Sequence, residues 1–149
     1  MEIDFLQEAI IEARKAYEKD EIPVGAVIVK DKEIIARAHN VKEKNQDCTA
    51  HAEIIAIKRA SKILNNWRLL GCEMYVTLEP CPMCAAAIAA ARIRRVHIGT
   101  FDETTGACGS VINIVQNESL NNNVDVKWLY SEECSTIMTG FFGLRRKEV

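Results

Sequence analysis

Two short clusters, His51-Ala52-Glu53 and Pro80-Cys81-Pro82-Met83-Cys84, each stand at the head of an apolar segment. They constrain the fold more than any other feature of the chain. An imidazole and two thiols in this pattern are ligands suited to zinc. For one ion to collect them, two segment heads about thirty positions apart must meet at a point. A structural zinc site takes four protein ligands, whereas a three-ligand site keeps its fourth position for water. Glu53 is the acid left over, too close in sequence to His51 to ligate the same ion comfortably, yet well placed beside it. His51, Cys81 and Cys84 as ligands, with Glu53 as proton carrier, therefore predict one zinc per chain acting on water.

The flanking patterns explain the convergence. Between Thr49 and Leu64 the residues Ile54, Ile55, Ala56, Ile57, Ala60, Ile63 and Leu64 suit a largely buried helix. The alanine-rich run from Pro82 to Ile93 predicts a second helix, with proline tolerated in its first turn. Cys81 and Cys84, three apart, then share a face. Both helix starts aim free N–H groups and a positive dipole end at the ligands, an environment that favours thiolates. The run Ala85 to Ala91 is apolar all round, so one sheet face cannot cover it, and a homodimer is expected through this helix.

The rest of the chain supplies a frame. Leu6, Ala9, Ile10, Ala13 and Tyr17 recur at helical spacing. Val24–Lys30 and Glu33–Ala38 read as strands joined by the tight Asp31-Lys32 connection. Met74–Leu78, Val96–Thr100 and Val124–Trp128 add three strands, and Cys134, Ile137, Met138 and Phe141 mark a closing amphipathic helix. Strand–helix alternation after a hairpin predicts an α/β fold, a mixed five-stranded sheet with helices on both faces. No repeat or linker divides residues 1–149, so one domain is expected.

Composition narrows the class. With 19 basic and 21 acidic side chains the net charge is −2, so a generally basic nucleic-acid binder is excluded and any RNA contact must be local. The start Met1-Glu2-Ile3-Asp4 is acidic where a secretory leader is basic, and the apolar run near Ala85–Ala91 is too short to span a bilayer. A cytoplasmic protein without membrane contact is expected. Six cysteines then read as thiols rather than disulfides. Cys48, three before His51, reads as a bystander and Cys134 as core.

His-Ala-Glu followed by Pro-Cys-x-x-Cys resembles the cytidine-deaminase-like zinc deaminases, which also serve as a general example of this chemistry. The stretches Glu21–Val29, Tyr75–Cys84, Thr105–Ser110 and Phe141–Arg146 are similar to the bacterial tRNA-specific adenosine deaminase branch, and the likeness covers nearly the whole chain. The resemblance implies a three-layer α/β/α sandwich, a zinc-dependent homodimer, and conversion of adenosine to inosine at the wobble position of a tRNA anticodon. It also implies substrate contacts: Asn40 and the Ala52 N–H at the target base, and Asp102 in a loop lying against the RNA. A carboxylate there can accept a bond from a ribose 2′-OH. Phe142 offers a stacking edge, and Arg145 and Arg146 reach phosphate. For Arg92, Arg94 and Arg95, RNA contact and surface ion pairing remain equally open.

The expected mechanism is hydrolytic. Zinc acidifies a water, Glu53 takes its proton, the oxygen attacks C6 of a flipped-out adenine, and ammonia departs. Two rivals share these residues: a deaminase of a free base such as guanine or cytosine, and a non-catalytic zinc module that binds RNA. Against the module stands Glu53, which has no task in a structural site.

Overall fold

The computed structural model describes residues 2–147; the side chains of Arg145, Arg146 and Lys147 lie outside the described set. The element order is α1 (Phe5–Glu18), β1 (Gly25–Lys30), β2 (Glu33–His39), α2 (Lys42–Asn45), α3 (Ala52–Leu64), β3 (Cys72–Leu78), α4 (Pro82–Ala90), β4 (Arg95–Thr100), β5 (Asp125–Trp128) and α5 (Glu132–Lys147). A 3-10 turn at Glu118–Leu120 precedes β5. The five strands form one sheet in the order β2-β1-β3-β4-β5. The β1 strand pairs antiparallel with β2 and β3, whereas β3–β4 and β4–β5 are parallel, so the expected mixed sheet is present.

Local chemistry sets the turns. Asp31 and Lys32 both take positive φ (50° and 65°), the left-handed pair of a two-residue hairpin whose twist matches its strands. Asp4 caps α1 by accepting from the Gln7 N–H at 3.1 Å.

Two layers of helix cover the sheet. On one face Ala52, Ala56 and Ala60 of α3 and Ala85, Ile88 and Ala89 of α4 pack with Ile28, Met74, Val76, Val96 and Ile98 into the main core. On the other, Ala9 of α1 meets Val27 and Val29, while Ile10 packs with Cys134 and Ile137 of α5. The alanines explain the close approach of α3 and α4: without long side chains both helices lie flat on the strands, and their N-termini come together at one end of the sheet.

The same closeness occurs at Gly25, buried under α1. A Cβ built there would lie 2.0 Å from the Ala9 carbonyl oxygen and 2.5 Å from the Ala13 nitrogen. Both atoms are α1 backbone, which no side-chain rotation can move away. Gly25→Ala is expected to cost at least the ~1–3 kcal/mol of an overpacked core. Thermal denaturation measures this directly, at roughly 2–4 °C of Tm per kcal/mol for this size; an unchanged Tm would mean α1 slides freely on the sheet.

Candidate active site

His51 is the N-cap of α3 and Cys81 the N-cap of α4, with Pro82 following it in the first turn. Neither side chain serves as a helix cap; Cys81 instead meets the Cys84 thiol and His51. The Nδ1 of His51 stands 3.7 Å from Cys81 Sγ and 3.6 Å from Cys84 Sγ. All three ligand atoms lie within 4.8 Å of one another. A tetrahedral zinc with ordinary Zn–N and Zn–S bonds separates such atoms by about 3.6 Å. The donor set and its spacing fit zinc, with Nδ1 as the ligating nitrogen. Cys48 is exposed and stands apart from this group.

The charges are arranged for a cation. The hydrogen bond from the Cys84 thiol holds the Cys81 thiol down at about 4. That bond, reinforced by burial, pushes Cys84 well above the usual thiol range. A divalent ion bound here would displace the remaining thiol proton. The bond to Cys81 also raises His51.

Glu53 lies in the first turn of α3, 3% exposed, and lines a cavity of about 820 Å³. Burial pushes its carboxyl up to about 7. A carboxyl that exchanges its proton near neutrality is what general acid–base catalysis needs. It is not in the three-residue ligand group.

The remaining expected residues divide. Asn40, 7% exposed, lines the cavity, and its Oδ1 accepts the Ala52 N–H at 2.7 Å. The two candidate base contacts are therefore bonded to each other, and the Ala52 donor is already spent on Asn40. Asp102 lines the rim, yet its oxygens serve its own loop. Oδ1 accepts from Thr104 N, Thr104 Oγ1 and Thr105 N at 2.8–3.2 Å, and Oδ2 from Thr105 Oγ1 at 3.1 Å. Phe142 is 42% exposed and lines the cavity, while Phe141 is buried against Tyr17. Arg145 and Arg146 belong to the last turns of α5, and their side chains are outside the described set.

Arg92, Arg94 and Arg95 follow the far end of α4, opposite the metal group. Arg92 returns to the Ala89 and Ala90 carbonyls at the end of its own helix. Arg94 pairs with Glu73, and Arg95 bonds Asp125 at 2.7 Å. Surface pairing accounts for both ion pairs without RNA. His97 bonds Glu73 at 2.7 Å and stacks on Tyr75 at 3.9 Å, and His39 bonds Glu12 at 3.2 Å; both are structural.

Two buried carboxylates lining the cavity escaped the sequence reading. Glu21, 2% exposed, accepts the Glu43 N–H at 2.7 Å and holds the α2 turn on one wall of the cavity. Glu79, also 2% exposed, accepts N–H bonds from Asp102, Cys108 and Ser110 on the other wall.

Residues 2–146 match the MafB19-like deaminase family. The chain belongs to that family. The deaminase is 47% identical to the tRNA-specific adenosine deaminase of Bacillus subtilis, over 97% of this chain and 90% of the relative. It is 46% identical to that of Aquifex aeolicus, over 97% and 96%. A solved structure from work on A-to-I editing by tRNA:A34 deaminases at the wobble position superposes with a TM-score of 0.86 at 45% identity, covering 89% of this chain and 97% of that one. The guanine deaminase of Bacillus subtilis superposes with a TM-score of 0.64 at 31% identity, covering 95% and 92%. The three-layer α/β arrangement inferred from sequence is thus the arrangement of the family.

Proposed function

We propose that this deaminase converts adenosine to inosine at the wobble position of a tRNA anticodon, by hydrolysis at a zinc held by His51, Cys81 and Cys84. The observation that carries the chemistry is Glu53, a buried carboxyl beside a three-ligand group and facing a cavity large enough for a flipped-out nucleoside. The relatives named above support tRNA as substrate.

Zinc bound there supplies a Lewis acid that lowers the pKa of water toward ~7. The protein supplies the rest. Glu53 takes a proton from the attacking water and hands it to adenine N1 as the C6–O bond forms. It then takes the remaining proton of the new C6 hydroxyl and hands it to the amine as the C6–N bond breaks, and so ends the cycle as it began. Burial keeps it from losing its proton to bulk solvent. Asn40, held by the Ala52 N–H, is placed to orient the base. Phe142 offers an edge on which a base can stack. The ribose contact is assigned to Asp102, which lines the cavity, and the phosphate contacts to Arg145 and Arg146, whose side chains lie outside the described residues. Among the described side chains Lys42 is the one Lys or Arg lining the cavity, beside Glu43, Asp102 and Glu103. A net charge of −2 adds no general attraction for RNA, so affinity comes from placed contacts.

The test is incubation with an unmodified tRNA transcript bearing adenosine at the wobble position. Inosine should appear there and at no other adenosine. The guanine deaminase likeness makes free guanine the control to run in parallel. Turnover of guanine without inosine in tRNA would replace this reading with the free-base one.

We further propose a homodimer through α4. Pro82, Ala86 and Ala90 are exposed and Ala87 half-buried, a small apolar strip that this chain's own helices leave open. Sedimentation should give twice the chain mass, and Ala86→Arg should shift it to one. A fully active monomer in dilute solution would contradict this. A cytoplasmic location goes with the proposed action on tRNA; among the described residues no helix is long and apolar enough to cross a membrane.

A further inference from the structure

The Glu79 carboxylate has no part in the chemistry above, yet it is among the most heavily bonded side chains near the cavity. Its Oε1 accepts the Asp102 N–H at 2.9 Å and the Ser110 hydroxyl; its Oε2 accepts the Cys108 N–H at 3.0 Å and the Ser110 N–H at 3.1 Å. These donors come from a single loop, 23 to 31 residues further along the chain. The loop closes onto the carboxylate so tightly that a Cβ at Gly106 would lie 2.4 Å from Glu79 Oε1. Only glycine allows that approach.

We propose that Glu79 is a positioning residue for the substrate: it fixes the loop Asp102–Ser110 and thereby sets one wall of the cavity relative to the metal ligands. Phe101, Asp102, Glu103, Thr104 and Thr105 form that wall. Glu79 stands two residues before Cys81, and the intervening Pro80 carbonyl accepts the Ala107 N–H at 2.9 Å. One short turn therefore holds both a zinc ligand and the far end of the loop. A shift of the loop moves the wall without moving the ligands. The consequence belongs to substrate binding rather than to the chemical step. This rests on the proposed action on RNA.

The chemistry demands a carboxylate. Four donors converge on two oxygens, and both oxygens must accept. Glutamine of the same shape offers one acceptor oxygen and an NH2 group, which in either orientation would face at least one backbone N–H it cannot satisfy. Losing a charge-assisted hydrogen bond typically weakens an interaction about tenfold.

The experiment uses the zinc-loaded full chain as wild type, Glu79→Gln and Ser110→Ala, with an anticodon stem-loop RNA as substrate. Glu79→Gln should raise KM at least about tenfold and leave kcat within about threefold, with zinc still at one per chain. Amide hydrogen exchange at Asp102, Cys108 and Ser110 should quicken at least about tenfold, while α3 and α4 stay protected. Ser110→Ala removes one bond without disturbing the carboxylate, and should raise KM about threefold. If Glu79→Gln does not yield folded protein, Ser110→Ala decides by the same measures. Loosened amides with an unchanged KM would overturn the proposal, because the loop would then be irrelevant to substrate. A fall in kcat at constant KM, or a loss of zinc, would overturn it too. Wild type that leaves the stem-loop unedited removes the RNA reading and this proposal with it; wild type that edits while KM stays fixed in both variants removes this proposal alone.

Discussion

Glu53→Ala is expected to lower turnover by at least the ~10²–10⁴ of a missing general acid–base group, with zinc retained at one per chain. The carboxylate is outside the ligand group, so the metal has no reason to leave. Stability should move the other way. Burial pushes the Glu53 carboxyl up to about 7, above the ~4.3 of an unfolded glutamate, so the folded state holds this proton more tightly. The stability that the bound proton confers is complete below the unfolded value and is lost as pH rises through 7. A residue that cannot ionise escapes that loss. With zinc removed, Glu53→Gln should therefore match or exceed the wild-type Tm at pH 8; the zinc-loaded variant should remain nearly inactive. Inosine formation, elemental analysis and thermal denaturation on one preparation check all three. Near-normal activity in the alanine variant would end the proposed mechanism. A lower Tm for the glutamine variant at pH 8 would mean the carboxyl carries structural bonds instead.

Features whose causes are local in sequence were legible. The four longer helices and the strands follow from apolar spacing. So do the hairpin at Asp31-Lys32, the proline at the start of α4 and the burial of Cys134 at 1% exposure. The convergence of His51, Cys81 and Cys84 was legible because a metal-binding pattern restricts both residue type and helix position. Features whose causes are tertiary were not. The short helix α2, Lys42–Asn45, has no side-chain cap of its own and no apolar stripe. Its free N–H groups are satisfied by Glu21, 22 residues upstream, and no local pattern announces such a cap. Glu79 was hidden in the same way. It lies inside the cysteine cluster's own stretch, but its partners are set by how the loop returns across β4. Asn40 and Ala52 were each picked out separately, without the 2.7 Å bond that joins them. The strand β3 begins two residues earlier than expected because Gly71, with φ of 76°, supplies the turn that brings Cys72 into the sheet.

Removing a ligand should act on metal, fold and activity together. Cys84 is fully buried in the first turn of α4, and its sulfur faces both Cys81 and His51. Cys84→Ala takes away one thiolate and leaves two ligands, too few for a zinc that otherwise binds through three protein ligands. It also leaves a small hole where α3 and α4 approach. Structural zinc in small peptides contributes about 10–16 kcal/mol of apparent binding energy, which is folding energy where the site forms only in the folded chain. Here the sheet and its two cores, built largely without the metal, hold most of the fold. The expected result is therefore partial: a folded chain of clearly lower Tm that purifies with less than about a tenth of a zinc per chain and no measurable inosine formation. Added zinc should raise the wild-type Tm after chelation and leave the Cys84→Ala Tm where it is. Cys48→Ala, at an exposed thiol outside the group, should behave as wild type in every measure. A Cys84→Ala protein that keeps one zinc per chain would show that the ion sits elsewhere, and the roles given to His51, Cys81 and Glu53 would fall with it.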